Sequence, residues 1–94
     1  MKVVNVKLVV KKDCINEYEN FINDLVIKSR KETGNIEYKH FKEVGSENVY
    51  EIIEHWKNEK AIDQHNETEH FQNFFNNIDV YLDYELQIMV MNVQ

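Results

Sequence analysis

Residues that turn the chain are scarce in this sequence. Its 94 residues include no proline and only two glycines, Gly34 and Gly45. Glycine and proline are the strongest local breaks in regular structure, so we expect long helices and strands with turns at the two glycines. A chain of this length fits one domain with a small core. No linker or internal repeat divides it, and we predict a single domain over residues 1–94.

The hydrophobic period changes in the first third of the chain. Between Lys2 and Val10 β-branched residues dominate, which is typical of a strand. From Cys14 to Ser29 the apolar residues follow the three-and-four spacing of an amphipathic helix. Asp13 is the predicted N-cap of this helix, and Gly34 is the predicted stop.

The middle of the chain has the pattern of a hairpin. Ile36–Lys42 and Asn48–Trp56 have the composition of strands. The short connection between them contains Gly45, which favours an antiparallel pair.

The last third is predicted to hold two short helices and a closing strand. Asn58 is the expected cap of a helix that ends at His65, and a further helix begins near Thr68. Alternation from Leu82 to Val90 predicts the strand. The resulting order, βαββαβ, is that of a ferredoxin-like α+β fold with a four-stranded antiparallel sheet.

One face of this sheet would lack a cover. Both helical segments of the topology lie on the same face, yet the strands do not leave a polar face on the other side. The first strand has valines on both sides, and the last has methionines opposite its aliphatic row. An apolar sheet face of this kind usually marks an interface. We therefore predict a homodimer with sheet packed on sheet, which together forms a dimeric α/β barrel.

Charge and cysteine content exclude several classes. The net charge of −6 opposes binding to nucleic acid or to an anionic membrane surface. The single Cys14 forms no intrachain disulfide and belongs to no zinc-binding array. The first residues interrupt their apolar run too early for a signal peptide, and no stretch approaches the roughly 20 apolar residues of a membrane span, so we expect neither. A cytoplasmic protein is expected.

Three short segments carry a family resemblance: Glu54-His55-Trp56, Ala61-Ile62-Asp63-Gln64-His65 and Glu69-His70-Phe71. A strand ending in an acidic residue and Trp, a short helix ending in His, and a second His five residues later resemble the antibiotic biosynthesis monooxygenase family. The stretch Glu32–Tyr38 is similar to the family's segment leading into its second strand. The resemblance implies a dimeric α/β barrel with a pocket between sheet and helices in each subunit, as in the quinol monooxygenase-like members.

The resemblance also implies a chemistry. A small phenolic or quinol-type substrate loses a proton, and its anion reduces dioxygen without a flavin, a metal or any other cofactor. Such a reaction needs a base with a pKa near 7, a hydrogen-bond donor for the oxyanion and an apolar pocket for a ring.

His65 and Asn5 are the candidate catalytic residues. Imidazole titrates near neutral pH without special perturbation, which suits His65 as the base. Its alternative role is to cap the helix end. Asn5, on the first strand, is the candidate donor to a substrate oxygen, or else it satisfies local polar groups.

Five further residues are candidates for substrate binding: Trp56, His70, Phe71, Phe75 and Tyr84. Each aromatic side chain has packing as its alternative role. His70 lies five residues after His65, which does not place both on one helical face. A break between the helices would bring the pair together, but with no ligand carboxylate at a suitable spacing we predict no metal site here. The alternative role of His70 is that of a polar residue at the start of the next helix.

Other activities within the superfamily are less favoured. Haem-degrading relatives have Trp at the place of His65 and a haem-ligating His where this chain has Phe74-Phe75-Asn76, although Asn5 is compatible with them. The alternatives that remain are isomerisation of a small hydroxy-dione and a non-catalytic, small-molecule-binding role in a stress response.

Overall fold

A computed structural model describes all 94 residues, and it confirms the ferredoxin-like α+β fold. Four antiparallel strands form one sheet in the order β2-β3-β1-β4, and three helices accompany it. The strands are β1 (Lys2–Val9), β2 (Asn35–Lys42), β3 (Val49–Trp56) and β4 (Gln87–Asn92), and the helices are α1 (Ile15–Arg30), α2 (Glu59–Asn66) and α3 (Glu69–Asn77). None of these helices combines the length and the apolar character that crossing a membrane requires.

The register of the sheet decides which residues share a face. Val4 of the central strand β1 lies between Glu54 of β3 and Val90 of β4, and Val6 lies between Ile52 and Ile88. Directly opposed residues point to the same side of a sheet, and their sequence neighbours point to the other side. Even-numbered positions of β1 therefore face the helices.

The core lies between this face and the helices. Sixteen buried hydrophobic residues form one cluster, in which α1 contributes Tyr18, Ile22, Leu25 and Val26 at the predicted three-and-four spacing. The sheet contributes alternate residues only, as a half-covered sheet requires.

The predicted cap of α1 is wrong. A short 3₁₀ turn, Lys12–Cys14, precedes the helix, so Cys14 takes the N-cap position and makes no side-chain capping bond. Asp13 lies one residue too early, and its Oδ1 accepts from the Cys14 thiol at 3.6 Å instead.

The predicted role of Gly34 is also wrong, for a reason that matters to the site. Helix α1 ends at Arg30 with Lys31 as its C-cap, and the one glycine with a positive φ is Gly45, at 89°, in the hairpin turn. Gly34 serves close packing instead, because a Cβ at this position would lie 2.4 Å from the Ala61 Cβ of α2. The turn after α1 is thereby pressed against α2.

The closing strand is shorter than predicted. The ladder with β1 begins at Gln87, and before it Leu82 forms only an isolated bridge with Val10. The Asp83 amide still donates to the Val9 carbonyl at 2.9 Å. Residues 84–86, between this bond and the start of the ladder, are not paired with β1 although their side chains alternate in hydrophobicity.

The Gly34 contact can be tested by a double-mutant cycle. We expect Gly34→Ala to lower the free energy of unfolding by about 1–3 kcal/mol, the usual cost of overpacking. Ala61→Gly, which removes the opposing methyl group, should recover part of this loss in the double variant. Urea unfolding of the four proteins measures the coupling. Strictly additive effects would show that the two residues do not compete for the same space.

Candidate active site

A cavity of about 350 Å³ lies between the sheet and the helices α2 and α3, where the sequence placed it. Ten of its thirteen lining residues are hydrophobic, and the other three are Glu54, His65 and Asn66. The hydrophobic ones are Val4, Val6, Tyr38, Ile52, Ile62, Phe71, Phe74, Phe75, Ile88 and Val90. Few polar groups in an apolar cavity are typical of a small-molecule site.

A second hollow, of about 460 Å³, lies along residues 75–86 and is more open. It contains the carboxylates of Asp79, Asp83 and Glu85 but no histidine. Because His65 lines the smaller cavity, we take that cavity as the candidate active site.

Helix α2 presents His65 to the cavity. Asn58 caps the helix as predicted, with its Oδ1 accepting from the Ala61 amide at 2.9 Å. Ala61 and His65 are four residues apart and thus lie on one helical face. With Ala61 pressed against Gly34, the same face is turned inward, and His65 is only 2% exposed.

A single hydroxyl connects α2 to α3. Thr68 Oγ1 donates to the His65 carbonyl at 2.7 Å and accepts from the Phe71 amide at 3.2 Å. It therefore satisfies the end of one helix and caps the start of the next, as predicted for a helix beginning near this residue. The position of the His65 backbone is fixed from both sides.

The His65 ring is oriented by a carboxylate. Its Nδ1 lies 2.6 Å from Oε2 of Glu32, and a carboxylate only accepts hydrogen bonds, so Nδ1 carries the proton. In the neutral ring Nε2 then holds the lone pair, and the hydrogen bond that the ring forms to a side chain is made through Nδ1. The Trp56 ring packs against the imidazole of His65, with the two ring centroids 4.5 Å apart.

Burial moves two titratable groups of the cavity towards their neutral forms. It lowers the pKa of His65, and the hydrogen bond from Nδ1 to Glu32 only partly opposes this effect. It raises the pKa of Glu54 from 4.5 to about 7, although the Trp56 indole donates to Glu54 Oε1 at 2.8 Å. A neutral imidazole and a carboxyl that is about half protonated therefore line one apolar cavity near neutral pH.

His70 reaches the same carboxylate. Its Nε2 lies 2.8 Å from Oε2 of Glu32. The chain changes direction between α2 and α3, so two residues five positions apart can point to the same carboxylate. The expectation that no carboxylate accompanies the two histidines is wrong. Glu32 lies 33 residues before His65, and the three ligand atoms are within 4.8 Å of one another.

Two of the five candidate binding residues line the cavity, and two more lie beside the His65 ring. Phe71 and Phe75 line the cavity. His70 does not line it, but it lies against Glu32 and against the His65 ring, with the centroids of the two imidazoles 5.9 Å apart. Trp56 is fully buried beneath His65 and does not line the cavity.

Two further candidates lie away from both the cavity and the His65 ring. Asn5 lies on the opposite face of the sheet, between Ile53 and Met89, because it alternates with the cavity residues Val4 and Val6. Tyr84 is 70% exposed and lines the more open hollow, because its segment lies outside the ladder of β4. The prediction that Tyr84 reaches the pocket is therefore wrong, and Asn5 is not placed to donate to a substrate oxygen in this cavity.

The comparisons with known proteins agree with this architecture. Residues 1–77 match the model of the family described as "Antibiotic biosynthesis monooxygenase". The chain belongs to this family. The match covers every element that builds the cavity except β4, and it includes Glu32, His65 and His70.

Individual relatives share the sequence or the fold. The chain is 42% identical over 74 residues to the Bacillus subtilis protein named "Putative monooxygenase YcnE", covering 79% of this chain and 78% of that protein. A conserved protein from Methanosarcina mazei superimposes with a TM-score of 0.93 at 29% identity, over 99% and 92% of the two chains. Rv0793 from Mycobacterium tuberculosis shares the fold alone, with a TM-score of 0.93 at 15% identity over 99% and 94%.

Burial of Glu54 should make stability depend on pH. Because its folded pKa of about 7 exceeds the unfolded value of 4.5, the folded state keeps a proton that the unfolded state has lost between these values. Its contribution to stability is complete below pH 4.5 and is lost as the pH rises through 7, by up to about 3 kcal/mol.

We therefore expect the difference in unfolding free energy between wild type and Glu54→Gln to change across pH 4.5–8, with wild type losing more. Gln keeps the size of the side chain and an oxygen for the Trp56 indole, so it is a close control. Parallel stability curves from urea unfolding would contradict the buried, titrating carboxyl.

Proposed function

We propose that this family member is a cofactor-independent monooxygenase that oxidises a small phenolic or quinol-type substrate with dioxygen. The observation that carries the proposal is the Glu32–His65 pair, with Nδ1 held by the carboxylate and Nε2 left free beside an apolar cavity. A histidine held in this tautomer is arranged to accept a proton from a bound hydroxyl.

The cavity favours a small, uncharged ring. Its volume of about 350 Å³ lies near the lower end of the usual range of roughly 300–1,000 Å³. Aromatic side chains, Phe71, Phe74 and Phe75, supply flat apolar walls. No lysine or arginine lines it, which argues against a phosphorylated ligand.

The reaction would begin with proton transfer from the substrate hydroxyl to His65 Nε2. The Glu32 carboxylate stabilises the imidazolium that forms, because it already accepts from Nδ1. The substrate anion then gives electrons to dioxygen and forms a carbon–oxygen bond, and cleavage of the O–O bond releases water. For a hydroquinone the balance is one quinol and one O₂ to one hydroxyquinone and one H₂O, with all four electrons supplied by the substrate.

Glu54 is the proposed hydrogen-bond donor for the developing oxyanion, in place of Asn5. It lines the cavity together with His65, whereas Asn5 faces the other side of the sheet. A protonated carboxyl in an apolar site donates a strong hydrogen bond to an anion.

The proposal includes a homodimer in the cytoplasm, formed through the sheet face opposite the helices. This face contains the partly buried residues Val3, Ile53 and Met91 and the more exposed Phe41 and Met89. The buried Oδ1 of Asn5 has no partner within the chain, and a second copy would supply one.

Substitution on this face tests the dimer. We expect Met89→Glu to weaken self-association at least tenfold, because it places a charge in an apolar interface. Ile27→Glu, at a 45% exposed position on α1, is the matched control and should leave the mass unchanged. Sedimentation velocity at micromolar concentration distinguishes them. A folded wild-type monomer at these concentrations would exclude the dimer.

Removal of the base tests the reaction. In an oxygen-electrode screen against phenols, hydroquinones and naphthoquinols, we expect uptake of O₂ that His65→Ala lowers at least a hundredfold. Affinity for a non-reactive quinone, measured by quenching of Trp56 fluorescence, should change little. The matched control is His55→Ala. It removes the histidine of another His–Glu pair, in which His55 Nδ1 lies 3.2 Å from Oε2 of Glu37 and both side chains are more exposed.

The same screen separates the alternatives. Turnover without oxygen uptake would favour the isomerase, and binding without turnover of any substrate would favour a non-catalytic role. Unchanged turnover in His65→Ala would reject His65 as the base.

A further inference from the structure

We propose that Glu32, His65 and His70 form a binding site for a divalent transition-metal ion of the Zn²⁺ type, and that the bound ion blocks the base function of His65. The metal site depends only on the geometry of these residues. The effect on the base depends also on the proposed function.

The three ligand atoms already converge. Oε2 of Glu32 lies 2.6 Å from His65 Nδ1 and 2.8 Å from His70 Nε2, and all three atoms are within 4.8 Å of one another. Bonds of about 2.0–2.1 Å to a tetrahedral Zn²⁺ place ligand atoms roughly 3.3 Å apart. The two oxygen–nitrogen separations would have to lengthen by about 0.5–0.7 Å to reach this spacing, and the ion would then take the place of the two hydrogen-bonding protons.

The surroundings favour a cation. The three side chains are only 3–14% exposed, and Glu32 forms no ion pair with a lysine or arginine. Its charge is offset by the two imidazoles alone. A divalent ion would neutralise a carboxylate that the fold otherwise leaves without a permanent positive partner.

The donor set selects the type of ion. Two imidazole nitrogens and one carboxylate oxygen suit Zn²⁺, Co²⁺, Ni²⁺ or Cu²⁺, whereas Mg²⁺ and Ca²⁺ prefer oxygen ligands throughout. Three protein ligands leave a fourth position for water.

Coordination changes which nitrogen of His65 holds the proton. A metal on Nδ1 uses the lone pair of that nitrogen, so the neutral ring must carry its proton on Nε2. Nε2 is the nitrogen left free beside the cavity. In the loaded protein it becomes a hydrogen-bond donor, and it cannot accept a proton from the substrate.

The binding step is tested on tag-free, metal-depleted full-length protein by titration with Zn²⁺ in a calorimeter. We expect one ion per chain, with affinity lowered at least tenfold in His70→Ala and unchanged in the control His55→Ala. Absence of stoichiometric binding, or equal affinity in wild type and His70→Ala, would overturn the site. Because binding is measured without substrate, it can succeed or fail independently of the proposed function.

Nitrogen-15 NMR of the histidine rings in wild type tests the geometry without any variant. Zn²⁺ should shift His65 Nδ1 and His70 Nε2 and move the His65 ring proton to Nε2. Resonances of both rings that stay unchanged at saturating Zn²⁺ would overturn the proposal. Once a substrate is known, oxygen uptake should fall along the Zn²⁺ binding curve, and full turnover by the loaded protein would reject the block of the base.

Discussion

The contact between Gly34 and Ala61 is the constraint on which the site depends. It brings the turn after α1 against α2 at a distance that no side chain larger than hydrogen allows. Glu32 lies two residues before the glycine, and His65 lies one helical turn after the alanine. The close approach of the two backbones at Gly34 and Ala61 therefore positions Glu32 and His65 for the hydrogen bond between their side chains.

The cavity owes its electrostatics to its apolar walls. Burial disfavours a charge of either sign, so it lowers the pKa of His65 and raises that of Glu54. Each group is thereby brought to the form in which it can exchange a proton or donate a hydrogen bond near neutral pH. Glu32 has the different task of fixing the ring, and two imidazoles share its one oxygen.

Local sequence patterns predicted the elements better than the site. The helix beginning at Thr68 and the cap at Asn58 follow from short-range hydrogen bonding, and both were predicted. Glu32 was not singled out as a partner of His65, because nothing local connects residues 33 positions apart. Tyr84 was misplaced for a similar reason: alternation describes a segment that can form a strand, whereas a partner strand decides whether it does.

The break between α2 and α3 has a consequence for how such a site can change over generations. In one continuous helix, residues five apart would point roughly 140° away from each other, given 3.6 residues per turn. His70 meets Glu32 only because Thr68 interrupts the helix. A substitution that joined the two helices would separate the histidines while leaving both in the sequence, so descendants could retain the motif after its geometry had been lost.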